Sequence, residues 1–225
     1  MRNVFLFVFS VCLLSACESQ THSNAKMSAS AQAAPTKPKR VDLSQIDASK
    51  YEIATLAGGC FWKMDAAYQE LKGVAGVAVG YAGGKTANPS YEQVCSHTTG
   101  HAETIQIAFD PQVVSFKEIL EAFWTLHNPT QVNREGNDQG ESYRSVVFYH
   151  SDAQKKTAEE VKAQLVKDGK WSKIVTQITP YTNFYRAEDY HQDYYNHHKE
   201  EGYCASVVAG KVRHFEEVYK DKLRQ

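Results

Sequence analysis

Cys60 is the residue of this sequence best placed for nucleophilic chemistry. It follows Gly58 and Gly59 and opens a predicted helix over residues 60–72. A thiol at the start of a helix lies near unpaired backbone N–H groups and the positive end of the helix dipole, and both favour the thiolate. The two glycines allow a sharp turn that leaves the sulfur uncovered. The segment therefore indicates a reactive thiol, although an inert cysteine packed in a core explains it equally well.

The two residues after the thiol are large and rigid. Phe61 and Trp62 could form an aromatic wall for a small hydrophobic substrate group, or they could simply pack the helix against the core. By itself, the segment around Cys60 leaves both interpretations open.

The number of cysteines favours a thiol that changes state. Cys12 and Cys17 fall in the amino-terminal segment, so Cys60, Cys95 and Cys204 remain in the part predicted to fold. In an exported protein, an odd number argues against a purely structural disulfide framework.

The amino terminus predicts export. Arg2 precedes an apolar run over residues 4–14, which is too short to span a bilayer as a mature helix. The run ends in LSAC, which resembles the lipobox of bacterial lipoproteins, so we expect residues 1–16 to be removed and Cys17 to carry the lipid. The alternative is an ordinary signal peptide in which Cys17 is incidental. Residues 17–50 are rich in Ser, Ala, Gln, Lys and Pro and predict a flexible tether.

These features predict a membrane-anchored lipoprotein that faces the periplasm or the cell exterior. Lysine and arginine total 25 against 26 acidic residues, so no overall field would draw the protein to nucleic acid. The expected membrane contact is the amino-terminal lipid alone. Hydrophobic residues are 42% of the chain, enough for one core, and we expect a single domain over residues 51–225 that acts as a monomer.

The periodicity of the domain predicts an α+β fold. Alternating and apolar runs predict strands, and amphipathic segments bounded by caps predict helices. Their order along the chain is strand 51–57, helix 60–72, strand 74–81, strand 103–109, helix 115–127, strand 143–150 and helix 151–167, with a further short strand at 175–178. This order is typical of a ferredoxin-like split βαβ core. From residue 180 onward we expect a long wrapping coil with short helices.

Eight short motifs in a fixed order carry a resemblance to a known family. They are GCFW at 59–62, GYAGG at 80–84, NPSYEQVC at 88–95, GHAE at 100–103, GNDQG at 136–140, YRS at 143–145, AEDYHQ at 187–192 and GYC at 202–204. The chain resembles the A-type peptide methionine-S-sulfoxide reductases over residues 51–215. The resemblance implies that the Cys60 thiolate attacks the sulfoxide sulfur of an oxidised methionine, free or in a protein.

The resemblance also implies roles around that thiol. The sulfoxide oxygen needs a proton, and Glu103 matches the family's acid, which apolar surroundings keep protonated. The other matching residues are Tyr91 and Tyr143, which hydrogen-bond the oxygen, Phe61 and Trp62, which hold the methyl group, and Asp138 at the pocket rim.

Recycling is implied to need a second thiol. Cys204 matches the family's resolving cysteine, which condenses with the Cys60 sulfenic acid to a disulfide that a thioredoxin-like dithiol reduces. No cysteine follows Cys204, so the relay has two cysteines, and no cofactor is expected. Cys95 is interpreted as a buried small residue outside the relay, and Lys63 as an exposed charge of unknown role.

Other functions are less consistent with the sequence. The spacing of His191, His197 and His198 around Cys204 fits no standard zinc pattern, so no metal is expected, and His101 is interpreted as orienting the loop before the acid. A thiol peroxidase or disulfide oxidoreductase is disfavoured because the chain has no Cys-x-x-Cys motif and no obvious cationic partner for the thiol. A surface lipoprotein with a mere binding module is the non-enzymatic alternative.

Overall fold

The computed structural model describes residues 43–224. The predicted signal peptide, Cys17 and most of the predicted tether lie outside the described residues. Among the residues that are described, no helix is both long and apolar enough to cross a bilayer.

The four strands of the predicted split βαβ core form the centre of the sheet. The main strands are β1 (Glu52–Gly58), β2 (Val74–Ala82), β3 (Ala102–Phe109) and β6 (Ser145–Tyr149). β3 runs antiparallel between β1 and β2, and β6 pairs antiparallel with the other side of β1. The order β6-β1-β3-β2 is the split βαβ arrangement that the element order predicts.

Two helices cover the sheet where the periodicity places them. α1 (Phe61–Gln69) connects β1 to β2, and α3 (Phe116–Leu126) follows β3. The predicted capping box at the start of α3 is present: Ser115 Oγ accepts a hydrogen bond from the backbone N–H of Glu118, and the Glu118 carboxylate accepts one from the backbone N–H of Ser115. Buried side chains of both helices join those of the strands in one core.

Several elements were not predicted. Before β3 lies the short helix α2 (Tyr91–Cys95), and a small hairpin is formed by β4 (Arg134–Glu135) and β5 (Asp138–Gln139). The predicted helix 151–167 is α4 (Asp152–Lys167). The short strand predicted at 175–178 is β7 (Gln177–Pro180), which is parallel to β6 at one edge of the sheet. The other edge is β8 (Phe184–Arg186), antiparallel to β2, which was not predicted.

The carboxyl-terminal third is more regular than a coil. It contains α5 (Tyr194–His197), a π-helical turn (Cys204–Val208) and α6 (Ala209–Tyr219), and it returns to the core. Phe215 of α6 is fully buried, and Leu223 forms a β-bridge with Leu71. The predicted wrapping is therefore correct, but helix replaces much of the predicted coil: α5 has four residues and α6 has eleven.

Candidate active site

The turn between β1 and α1 presents the Cys60 thiol. Cys60 is the N-cap residue of α1, as the sequence predicts. Gly59 before it has φ +77°, and a Cβ there would lie 2.5 Å from Cβ of Glu135. Only glycine fits both the left-handed backbone and this close approach.

One cavity of about 280 Å³ gathers most of the predicted site residues. Its lining comes from α1, α2, β3, β5 and the segments before β6 and after α5. The lining residues are Cys60, Phe61, Trp62, Tyr91, Glu103, Asp138, Tyr143 and Tyr203. Seven of these eight were singled out from the sequence, and Tyr203 was not.

Glu103 is a buried acid on β3. It lies opposite Tyr81 of β2, is only 2% exposed, and its Oε2 accepts a hydrogen bond of 3.0 Å from the backbone N–H of Phe61. Burial raises the pKa of Glu103 to about 8, and the nearby Asp138 acts in the same direction. The carboxyl therefore carries a proton at neutral pH and can donate it into the cavity.

The Cys60 thiol is also buried, with 6% of its surface exposed. Burial raises the pKa of Cys60 well above its ordinary value, and the Glu103 carboxylate adds to this rise. Lys63, the backbone N–H of Trp62 and the Tyr203 hydroxyl all lower the pKa but do not outweigh it. The backbone N–H of Trp62 thus favours the thiolate, as expected at a helix N-terminus, but desolvation is the larger effect and keeps the resting group a thiol.

The two predicted oxygen-binding tyrosines remain neutral donors. Burial raises the pKa of both Tyr91 and Tyr143, and Glu103 raises each further. Tyr91 is held by its backbone N–H, which donates to Glu188 Oε1 at 2.9 Å, and Glu188 Oε2 accepts a bond of 2.8 Å from the Tyr81 hydroxyl. Glu188 thereby fixes one wall of the cavity.

Trp62 is fixed by aromatic contacts and one hydrogen bond. Its ring stacks on Tyr194 at a centroid distance of 3.9 Å, and its Nε1 donates to Nδ1 of His191 at 3.2 Å. The Nδ1 atom of His191 is thus an acceptor that orients the wall. Within residues 43–224, no three His, Cys, Asp or Glu side chains are grouped so that they could hold a metal ion.

Tyr203 is the site residue that the sequence did not reveal. Its hydroxyl donates to Asp138 Oδ2 at 2.5 Å, and its ring meets Trp62 edge-on at 5.9 Å. It lies 65 positions from Asp138 in the chain, and no spacing rule connects the two. The only available signal was its place beside Cys204 in the GYC motif.

Cys204 lies outside the cavity. Its side chain is 1% exposed in a cluster with Ala66, Tyr195 and Val208, and it is a free thiol, as are Cys60 and Cys95. A Cβ on Gly202, two positions earlier, would meet no atom within 4 Å, so the tail has room to bend there.

Three sequence interpretations are tested by side-chain environment. Cys95 is half-buried rather than buried. Lys63 is not an exposed charge: it is 3% exposed and ion-paired with Glu135 at 3.0 Å. His101 is buried. Its Nδ1 accepts a hydrogen bond from the backbone N–H of Gly84, and its Nε2 contacts the carbonyl oxygen of Thr86, which agrees with its predicted role in orienting a loop.

Comparisons with known proteins place this geometry in a family. The sequence model of the family described as peptide methionine sulfoxide reductase matches residues 52–223. The peptide methionine sulfoxide reductase MsrA of Saccharolobus solfataricus is 49% identical over 174 residues, which are 77% of this chain and 97% of that protein. The protein of the same name from Polynucleobacter asymbioticus is 53% identical over 171 residues, 75% of this chain and 90% of that protein.

Solved structures agree with the sequence relatives. Mxr1 from Saccharomyces cerevisiae in reduced form superposes with a TM-score of 0.67 at 36% identity, over 71% of this chain and 92% of that chain. Methionine sulfoxide reductase A of Corynebacterium diphtheriae gives a TM-score of 0.65 at 32% identity, over 77% of this chain and 87% of that chain.

Proposed function

The chain belongs to the peptide methionine sulfoxide reductase family, and from that premise we propose that Cys60 reduces the S epimer of methionine sulfoxide, free or in oxidised proteins. The enzyme is a thiol-dependent oxidoreductase whose activity repairs oxidised methionine. The observation that supports this assignment of roles is the single cavity in which Cys60, the protonated Glu103 and two neutral tyrosines converge.

The first step transfers the oxygen atom to sulfur of the enzyme. The Cys60 thiolate attacks the sulfoxide sulfur while Glu103 donates its proton to the oxygen, which Tyr91 and Tyr143 hold by hydrogen bonds. The attack forms an S–S bond between Cys60 and the substrate sulfur, which then carries a hydroxyl group. The hydroxyl passes to the Cys60 sulfur as the S–S bond and the substrate S–O bond break, so methionine leaves as the thioether and Cys60 becomes a sulfenic acid. Phe61 and Trp62 hold the methyl group in an apolar wall.

The second step needs the tail to move. Cys204 is buried outside the cavity, so it reaches Cys60 only if the segment around Gly202 shifts. The Cys204 thiolate then attacks the sulfenic sulfur, a disulfide forms and water leaves. A thioredoxin-like dithiol reduces this disulfide and restores both thiols.

Separate substitutions of the two thiols test the roles. Cys60→Ser should abolish even one stoichiometric turnover, whereas Cys204→Ser should complete one turnover and then stop. Cys95→Ser is the matched control and should cycle normally, because this residue is not assigned to the relay. Rapid-quench measurement of methionine per enzyme decides, and normal cycling of the Cys204 variant with a thioredoxin-like donor would disprove the resolving role.

Stereochemistry tests the substrate. The separated S and R epimers of methionine sulfoxide should be distinguished strongly, with reduction of the S epimer only. Equal rates for both epimers would disprove the proposed substrate assignment.

We further propose that the mature protein is a lipoprotein anchored through Cys17. The support is the LSAC sequence at the end of the apolar run. Cells fed an alkyne-bearing fatty acid should label the wild-type protein and Cys12→Ser, and should not label Cys17→Ser. A Cys17→Ser protein that is labelled and sediments with membranes like the wild type would refute the anchor.

A further inference from the structure

A buried lysine lies beside the catalytic thiol on the first turn of α1. Cys60 is the N-cap residue of α1, and Lys63, three positions later, lies in the first turn of the helix directly after the thiol. Its side chain is 3% exposed, and its Nζ lies 3.0 Å from the point where a Cβ of Gly59 would be. The ammonium therefore packs against the turn that presents the sulfur.

The interior keeps this ammonium charged through one carboxylate. Glu135 Oε1 lies 3.0 Å from Nζ of Lys63 and 3.5 Å from Nζ of Lys211, and its Oε2 accepts the backbone N–H of Asn128 at 2.8 Å. Burial lowers the pKa of Lys63, while Glu135 raises it. Lysine is rarely buried without a partner because an unpaired charge in the interior is very unfavourable.

The cluster of Lys63, Glu135 and Lys211 has an excess of positive charge. Two ammonium groups share one carboxylate, which leaves a formal charge of +1 from these three groups. Lys211 is 44% exposed and screened by water, whereas Lys63 is enclosed. Of the two ammonium groups, Lys63 is therefore the one that acts on Cys60 through the interior, where its charge lowers the pKa of the thiol.

The charge of Lys63 also affects the pKa of a neighbouring histidine. His127 of the loop after α3 is fully buried and hydrogen-bonded to the Phe123 carbonyl and to Ser145. Burial, together with the charge of Lys63, lowers the pKa of His127 to about 4. His127 is thus neutral and adds no second positive charge.

Few charged groups lie near Cys60. They are the acids Glu103 of β3 and Asp138 of β5, which line the cavity, and the ammonium of Lys63, whereas the phenols of Tyr91, Tyr143 and Tyr203 are neutral and only the Tyr203 hydroxyl favours the thiolate, through a hydrogen bond. Lys63 is the only cation among these groups of the described chain. A thiolate that forms during the reaction has this one ammonium to balance it.

We propose that Lys63 is a positioning residue that acts through Cys60: its ammonium, kept charged in the interior by Glu135, stabilises the thiolate that attacks the sulfoxide. The inference rests on the nucleophilic role of Cys60 in the proposed function. Because the resting thiol is neutral, the field of Lys63 favours the ionised state of the reaction over the ground state. Lys63 also supplies the cationic partner that the sequence interpretation did not find.

The test measures how readily Cys60 ionises, independently of sulfoxide reduction. The full chain is alkylated with iodoacetamide from about pH 6 to about pH 11, and mass spectrometry follows the peptide that contains Cys60. Because burial places the ionisation of Cys60 at high pH, the alkylation rate is compared at each pH, and in Lys63→Met it should fall about tenfold, which corresponds to a midpoint about one unit higher. Single-turnover reduction near neutral pH should slow about tenfold, because one unit of pKa is a tenfold change in thiolate.

Two further variants keep the result interpretable. Lys222→Met breaks an exposed ion pair with Glu118, 2.7 Å long and remote from the cavity, and should leave the Cys60 midpoint unchanged. The double variant K63M/E135Q removes the whole buried pair, so no unpaired carboxylate remains, and its midpoint should still rise. Circular dichroism checks the fold of each variant, and the double variant decides if K63M does not fold.

The outcomes separate this inference from the proposed function. An unchanged Cys60 midpoint in folded K63M, or in the folded double variant, overturns the role of Lys63 whatever the enzyme reduces. A raised midpoint in both, with Lys222→Met unchanged, supports it. A wild-type enzyme whose Cys60 alkylates normally but reduces no sulfoxide would overturn the proposed function instead.

Discussion

Glu103 shows how one carboxyl is adapted for acid chemistry at a cost in stability. Its cavity excludes water and places it near Asp138, so the proton is retained up to a pKa of about 8. Its Oε2 is oriented by the Phe61 N–H, which leaves Oε1 to carry the proton toward the cavity. The same burial that keeps the acid protonated makes its ionised form unfavourable in the folded state.

The pH dependence of the reduction step should follow this carboxyl. Because the reaction needs both the Cys60 thiolate and the protonated Glu103, we expect kcat/KM to rise with pH below about 8 and to level off above it, where loss of the Glu103 proton offsets the further gain in thiolate. Glu103→Gln should lower the rate by at least about a hundredfold and remove this levelling. Single-turnover rates across pH measure both effects, and an unchanged rate would exclude Glu103 as the acid.

Replacing Glu103 should lower the activity but raise the stability of the protein at alkaline pH. Its folded pKa is raised from 4.5 to about 8, so its contribution is fully present below pH 4.5 and is lost as the pH rises through 8. Glu103→Gln should therefore be more stable than the wild type near pH 9, by about 1–3 kcal/mol. Urea denaturation at several pH values measures the difference.

Glu118 provides a control with the reverse sign. Hydrogen bonds from Lys222 and Ser115 lower the pKa of Glu118 to about 2, so its contribution is present above pH 4.5 and lost as the pH falls through 2. Glu118→Gln should lose about 1 kcal/mol at neutral pH, a value reduced by solvent screening, and should keep its activity. A gain in stability from both substitutions would contradict these assignments.

Tyr203 should contribute through its hydroxyl. Tyr203→Phe keeps the ring against Trp62 but removes the bond to Asp138 and the contact that favours ionisation of Cys60. We expect reduction to slow about fivefold, as for the loss of one neutral hydrogen bond. Tyr219→Phe, which loses a long 3.4 Å contact with Thr125 outside the cavity, is the control and should keep the wild-type rate.

Residue roles were predictable where a motif carried them. Cys60 and Glu103 were identified because their segments match a family in order, whereas Lys63 and Tyr203 depend on partners 72 and 65 positions away. A single sequence does not reveal such pairs. The protonation of the Cys60 thiol was also hidden, because it depends on the depth of burial.

The boundaries of the core helices and strands could be predicted from local sequence patterns. Alternation in β1 and β3, the capping box at Ser115 and the glycines before Cys60 each determine a boundary. α6 was missed because Gly210 and β-branched residues weaken its pattern, and its helical form depends on burying Val212 and Phe215. β8 was missed because three residues carry too little periodicity to be identified.

The turn before α1 should be highly sensitive to a methyl group. Gly59→Ala requires a left-handed alanine whose Cβ would be 2.5 Å from Glu135. Gly136→Ala also has positive φ, +60°, but its Cβ meets nothing within 4 Å, so it is the matched control. We expect Gly136→Ala to lose about 1–2 kcal/mol and Gly59→Ala about 2 kcal/mol more, with loss of activity. Equal stability losses in chemical denaturation would show that the contact with Glu135 is unimportant.

At the scale of the whole molecule, the amino-terminal segment should be dispensable for folding, whereas the carboxyl-terminal segment should be required. If residues 17–50 are a tether, a chain that starts at Leu43, the first residue that the structure describes, should keep the melting temperature and activity of the full protein. Removal of residues 215–225 should unfold it, because Phe215 is in the core and the backbone N–H of Arg224 donates to the Glu70 carbonyl. Thermal melts of both truncations test the expectation, and a large loss from the amino-terminal truncation would contradict the tether.

The two edge strands of the sheet affect whether this enzyme aggregates with other proteins. β7 has four residues and ends at Pro180, and β8 has only three. Long, unprotected edges invite another chain to add its own strand and start aggregation, and short or proline-bearing edges resist this. An enzyme with these edges can act repeatedly on oxidised proteins without forming intermolecular β-sheet with those that aggregate.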